Sequence, residues 1–143
     1  MFFRSKKEKK VVPQTDAKSK IQKIEEALLK PQKQEDRISL LVAAAYAYEN
    51  GEFGASKDLK KAAAYYQKGD ELGDLSCRCN YGRMLIMNQE GDDMTFSMGV
   101  VKVCACYQQG YAPAAEILQT LLDMQIFPNC HTIEDLISLI ESM

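Results

Sequence analysis

The sequence predicts an all-α fold: a solenoid of two and a half to three helical hairpins, with an extra helix capping its N-terminal end. Three observations predict it. Apolar residues recur at three- and four-residue spacing in segment after segment, and no segment alternates at period two. Helix start and stop residues punctuate these segments at the right places. The pattern also repeats. A shift of 37 residues, the separation of Gly73 and Gly110, puts Gly54 on Gly91, Leu59 on Phe96, Ala62 on Gly99, Ala45 on Gly82 and Tyr48 on Leu85. Small residues fall on small ones and large apolar residues on large ones. A fixed period of roughly 20–50 residues marks a stacked helical array, because no unit can bury its apolar face alone.

Taken in order, the chain opens with a Lys-rich stretch, residues 1–15, broken by Pro13. It has too few apolar residues to offset its ordering entropy and is expected to be a basic disordered tail. The repeat domain then covers residues 16–143. Asp16 is the expected N-cap of a first helix over Ala17–Lys30, with the stripe Ile21, Ile24 and Leu28, stopped at Pro31. Asp36 precedes a second helix, Arg37–Glu49, whose small Ala43–Ala45 admit a close neighbour. Gly51 and Gly54 are spaced for a tight turn with φ > 0. Asp58 caps a third helix that Gly73 closes, with Leu59, Ala62, Ala63, Tyr66 and Gly69 on one face.

The second unit runs through Leu75–Met87 and Thr95–Gln109, with Gly91-Asp92-Asp93 as the loop between them. A helix over Ala112–Met124 follows, with Pro113 near its start. Thr132-Ile-Glu-Asp135 is a capping-box-like opening for the last helix, which is either the second half of a third unit or a C-terminal cap. Seven helices result.

Charge is unevenly spread. Residues 1–30 hold nine Lys/Arg against four Asp/Glu, residues 31–143 nine against sixteen, and no Lys or Arg follows Lys102. The repeat domain lacks the basic surface that phosphate contacts need, so nucleic acid is not an expected partner. No apolar run reaches the ~20 residues of a membrane span. The start, MFFRSKKEKK, lacks the apolar stretch of a secretion signal. A reduced, cytoplasmic setting is expected for the five cysteines.

The stretch Tyr48-x-x-Gly51-x-x-Gly54, then Asp58, Ala62, Tyr65 and Leu72-Gly73, resembles the Sel-one-like repeat, a helix–turn–helix module related to the tetratricopeptide repeat. The unit from Leu75 to Gly110 departs from the pattern, with Asn88 in place of the first turn glycine and Met94-Thr95 near the aspartate position. From Ala112 on, only the apolar pattern matches. The resemblance implies a right-handed α-α superhelix that acts as a non-catalytic interaction scaffold or adaptor, without a cofactor. A secreted branch of that family also implies a disulfide across the two helices of the second unit as one alternative.

No catalytic set is apparent. Cys77-x-Cys79 and Cys104-x-Cys106 have the wrong spacing for zinc on a helix, since positions i and i+2 point about 200° apart. They read as small packing residues. His131 has only Cys130 beside it and no partner placed by the fold. The pairs Glu25-Glu26, Asp70-Glu71 and Asp92-Asp93 are expected on solvent faces, and Met84 and Met98 in the core. A small metal- or disulfide-containing helical domain with an enzymatic or redox role, and a membrane-peripheral adaptor using the basic N-terminus, are the rival classes.

The partner-binding face is expected on the first helix of each unit, opposite its packing positions. That stripe is Val42, Tyr46 and Glu49, then Cys79, Arg83 and Ile86 one period on, then Glu116, Thr120 and Asp123. Tyr46, Arg83 and Thr120 would form its middle row, and the acidic third stripe would favour a basic segment on a protein or peptide partner.

Overall fold

A computed structural model describes residues 17–143, so the expected basic tail and the Asp16 cap lie outside the described residues. The described chain is all-helical. Seven helices follow one another: α1 (Lys20–Leu28), α2 (Gln34–Asn50), α3 (Leu59–Glu71), α4 (Leu75–Met87), α5 (Asp93–Gln108), α6 (Pro113–Asp123) and α7 (Ile133–Glu141), with no strand among the described residues. The extensive helix–helix contacts all join helices consecutive in the chain.

Local sequence explains the boundaries. Asp58, Asp74 and Asp92 are N-caps whose carboxylates accept from the backbone N–H three residues on, at 3.1, 2.9 and 2.8 Å. Ser19 and Gln22 form a capping box that starts α1 at Lys20, three residues later than expected. Thr132 and Asp135 form the expected box at α7. Helix α2 begins at Gln34, earlier than expected, and Asp36 sits in its first turn rather than at its cap. Gly51 ends α2 in the left-handed region at φ 68°.

The 37-residue period is written into the backbone hydrogen bonds. At the end of α3 the amides of Gly73 and Asp74 donate to the carbonyls of Asp70 and Gly69 at 2.9 and 3.1 Å. At the end of α5 the amides of Gly110 and Tyr111 donate to Tyr107 and Cys106 at 3.0 and 3.0 Å. Each donor and acceptor is one period from its counterpart, and both sites are Schellman motifs closed by a positive-φ glycine. Helices α2 and α4 end one period apart, at Asn50 and Met87. Helix α7 and its cap start two periods after α3 and Asp58, so the two helices are in phase.

Two buried clusters share α4 as a wall. The first holds Ile21, Ile24, Ala44, Ala45, Tyr48, Ala62, Tyr66, Cys77 and Met84; the second holds Cys79, Val100, Val103, Cys104, Leu118, Leu121 and Leu136 among others. Cys77 and Cys79 therefore point into different cores, as helical rotation requires.

Small residues set the spacing of the helices. A Cβ on Gly82 would lie 2.9 Å from the Gly99 carbonyl oxygen, and one on Gly99 would lie 2.6 Å from the Gly82 oxygen. Ala45 and Ala62, their counterparts in the first unit, are fully buried. One more period on, the pair becomes exposed Gln119 and buried Leu136, and α6 and α7 touch less than any other consecutive pair that packs extensively. The volume at Gly69 is also matched: a Cβ there would lie 2.2 Å from the Cys77 sulfur, and one period on the two positions are Cys106 and Ala114, both fully buried.

The Gly82–Gly99 contact gives a test by sign. In an open helix interior Gly→Ala stabilises by about 1 kcal/mol. At this crossing Gly82→Ala and Gly99→Ala are each expected to destabilise by about 1–3 kcal/mol through overpacking, read from urea melts. A gain in stability would show that the two backbones do not meet.

Candidate interaction surface

Three polar networks, each tying three consecutive helices, define what this surface can offer. Glu25 on α1 accepts from the Tyr48 hydroxyl on α2 at 3.0 Å and from the Tyr65 hydroxyl on α3. Glu49 on α2 accepts from the Tyr66 hydroxyl on α3 at 3.0 Å and from the two terminal guanidinium nitrogens of Arg83 on α4, at 2.7 and 3.0 Å. Asp70 on α3 accepts from Arg78 on α4 and Lys102 on α5, both at 2.7 Å.

Titration follows this geometry. The Arg83 hydrogen bonds hold the Glu49 carboxyl below its ordinary range, against the opposing effect of burial. Burial pushes the Asp70 carboxyl up, but Lys102 and Arg78 outweigh it, so the net shift is downward. Burial, then the Glu25 carboxylate, raises the Tyr65 hydroxyl; burial, then Glu49, raises that of Tyr66.

Asp70 is 8% exposed, not on the solvent face expected for it, because it follows Gly69 onto the side of α3 that meets α4 and α5. Glu25 is likewise engaged, whereas Glu26, Glu71, Asp92 and Asp93 are exposed as expected, Asp92 serving as an N-cap. One sequence signal for the Asp70 network exists: Lys102 is an isolated charge in the apolar run Gly99–Cys106, and a charge so placed needs a partner.

The expected binding stripe is only partly free. Tyr46 is 47% exposed, its ring 5.8 Å from Phe53. Val42 and Ile86 are half-buried. Cys79 is buried in the second core and offers no surface, because α4 is covered on that side by α5. Glu49 and Arg83 do bring the first two stripes together, but as a closed pair bonded to each other; Arg83 also donates to the Asn80 side chain at 3.1 Å. On α6, Glu116, Thr120 and Asp123 are exposed. The Thr120 hydroxyl donates to the Glu116 carbonyl, and Asp123 accepts from Gln119.

Met84 is buried as expected, whereas Met98 is 48% exposed. It lies one period from Lys61, a solvated position, while its neighbour Gly99 takes the helix contact. Met87 is 55% exposed, its sulfur 3.7 Å from an Arg83 nitrogen.

All five cysteines are buried free thiols. Burial pushes Cys77 and Cys79 up to about 12 and Cys104 to about 11. His131 is exposed while Cys130 is buried, so the two diverge. No cluster of three metal-ligating side chains occurs among the described residues. No described helix is long and apolar enough to cross a membrane.

In comparisons with known proteins, no family model, no curated protein and no solved structure matches the chain.

Two outcomes are expected. Carboxylates depressed in the folded state contribute stability that is present above their unfolded pKa, near 4, and is lost as pH falls through the folded value. Thermal melts should therefore hold steady down to about pH 4 and fall below it, and Asp70→Asn should flatten that acid limb. An acid limb unchanged in Asp70→Asn would show that Asp70 carries none of it. Thiol titration should find the native cysteines slow, since neither thiolate character nor access is provided, and all five reactive on unfolding. Rapid reaction of any native thiol would contradict the burial.

Proposed function

We propose that the protein is a non-catalytic adaptor: a helical-hairpin solenoid of Sel-one-like type, two and a half to three units long with α1 as its cap, that binds a protein or peptide partner on one face. The observation that carries this reading is the 37-residue recurrence of helix closures, crossing residues and caps. Stacked repeats of this kind work by presenting side chains from successive units on one continuous surface. The networks at Glu25, Glu49 and Asp70 support the same reading. Their charges bind the helices to one another, leaving binding to exposed groups that cost little to desolvate.

Tyr46 is the best-placed anchor in this proposal. It is an exposed aromatic on α2, backed by half-buried Phe53 and flanked by Val42, with the Glu49–Arg83 pair beside it. Tyrosine supplies large contact area for little conformational entropy, which is why it is enriched at hot spots. Arg83 serves as a positioning residue, since removing it would leave Glu49 half-buried without its main partner. Glu116 and Asp123 on α6 give the far end of the face a preference for a basic segment.

The test is capture of a partner with the parent protein, its identification by mass spectrometry, and titration of that purified partner against variants. Tyr46→Ala is expected to weaken binding by about 1–3 kcal/mol with the melting temperature unchanged. Equal affinity for parent and variant would move the site off this face.

A further inference from the structure

We propose that the outer face of α5 pairs with the same face of a second copy of the chain, about a two-fold axis that runs along α5. This goes beyond the adaptor reading and does not depend on it.

Helix α5 presents an apolar stripe on the side away from its core. Met94, Met98, Val101 and Ala105 follow at spacings of four, three and four. That is the narrow seam by which one helix packs along another. Met94, Met98 and Val101 are 71%, 48% and 46% exposed. The repeat itself does not call for such a stripe. One period earlier the same positions are Lys57, Lys61, Ala64 and Lys68, and one period later they are His131, Asp135, Ser138 and Ser142, all exposed. Of these three rows, only that on α5 is apolar, and contiguous exposed apolar surface marks an interface.

The flanks of the stripe identify what covers it. Helical rotation puts Lys102 about 70° to one side and Gln108 about 50° to the other. Lys102 bonds Asp70 on α3, and the Gln108 side chain donates to Glu141 on α7 at 3.2 Å. So α3 and α7 lie on opposite sides of the stripe, and their exposed faces carry opposite charge. The α3 side has Lys57, Lys61 and Lys68, none of them in an ion pair among the described residues. Lys61 and Lys68 lie only against the rings of Tyr48 and Tyr65, at 5.0 and 5.5 Å. Lys60 meets Glu90 at 3.9 Å and adds nothing to this balance. The α7 side has Glu134, Asp135 and Glu141. They accept from the Tyr107 hydroxyl, from backbone amides and from the Gln108 amide, all neutral donors.

A surface with a cationic flank, an apolar seam and an anionic flank is complementary to itself. A two-fold along α5 lays seam on seam, with the helices parallel, and exchanges the flanks. The α3 of each copy then faces the α7 of the other. Because α3 and α7 are in phase, Lys61 comes level with Asp135 of the partner subunit, and Lys68 comes within one residue of the level of Glu141 of the partner subunit. A two-fold across α5 would instead set lysines on lysines, which like-charge repulsion disfavours. The methionines suit this seam, since an unbranched thioether adapts to the surface it meets.

The test is sedimentation equilibrium of the full-length protein over a range of concentration and salt. The parent is expected to dimerise with a dissociation constant on the order of micromolar, and to dissociate as salt screens the flanks. Met94→Lys/Met98→Lys gives the seam the residue type found one period earlier. It should leave helix content intact and raise the dissociation constant about tenfold or more. Two charge-reversed chains test the arrangement. Lys57→Glu/Lys61→Glu/Lys68→Glu has two acidic flanks, and Glu134→Lys/Glu141→Lys has two basic ones. Each alone should be monomeric, and an equimolar mixture should dimerise. A parent that is monomeric up to about 1 mM, or a dimer that the seam variant leaves unchanged, would overturn the proposal. A dimer that the seam variant breaks but that both charge-reversed chains form alone as readily as the parent would overturn the two-fold along α5. Tyr46→Ala, on α2, is expected to keep the dimer. Loss of partner capture with dimerisation intact therefore reports on the adaptor face alone, and loss of dimerisation with capture intact on the α5 face alone.

Discussion

Helix α4 is buried on two opposite faces, and the rest of the structure depends on that. A helix in this position cannot be amphipathic in the usual sense. It needs apolar or small side chains on both of those faces, and Leu75–Met87 provides them with Cys77 and Met84 on one and Cys79 and Gly82 on the other, while Arg78 and Arg83 lie between. Cys77 faces the first core and Cys79 the second. The glycine at 82 lets α5 approach to backbone contact, which fills the second core from one side while α3 fills the first from the other. Buried cysteine behaves here as a small hydrophobe, which accounts for four of the five cysteines lying on α4 and α5 without invoking metal or redox chemistry.

The polar networks follow the same logic of three consecutive helices. Each places one carboxylate at a junction and satisfies it from two neighbouring elements. Such a carboxylate is costly if one partner is lost and modest in net value when complete. Its effect is to fix the register of each helix against the next, so that apolar packing has one arrangement. Beyond α5, whose Lys102 is the last Lys or Arg in the sequence, charge pairing of this kind stops among the described residues. The junction of α6 with α7 relies on Leu136 and its apolar neighbours.

Much of this fold was legible in the sequence. The glycine closures at 73 and 110, the Asp58 cap, the Thr132 box and the helix Leu75–Met87 all follow from local rules acting on residues with strong preferences. The first helix boundary was not, because Asp16 and Ser19 both suit a cap and only the Gln22 reciprocation favours Ser19. The candidate face was legible as a stripe but not in its chemistry. Periodicity places Glu49 and Arg83 on adjacent helices, yet it carries no information on whether two opposite charges face a partner or each other. Asp70 was hidden for a related reason: a charged residue beside Glu71 and near a helix end reads as solvated until a third helix brings Lys102 over it. Met98 was misplaced because its neighbour Gly99, a gap in the apolar pattern, is the residue that makes the contact.

A shared wall, α4, couples the two cores. Native-state hydrogen exchange against denaturant tests it most directly, comparing amides of the first core at Ala44–Tyr48 with those of the second at Val100–Cys106. If α4 joins the cores, both sets converge on one global unfolding isotherm with a common denaturant slope, while α7 amides open at lower free energy. Two separate isotherms, with one core fully exchanged while the other stays protected, would contradict it.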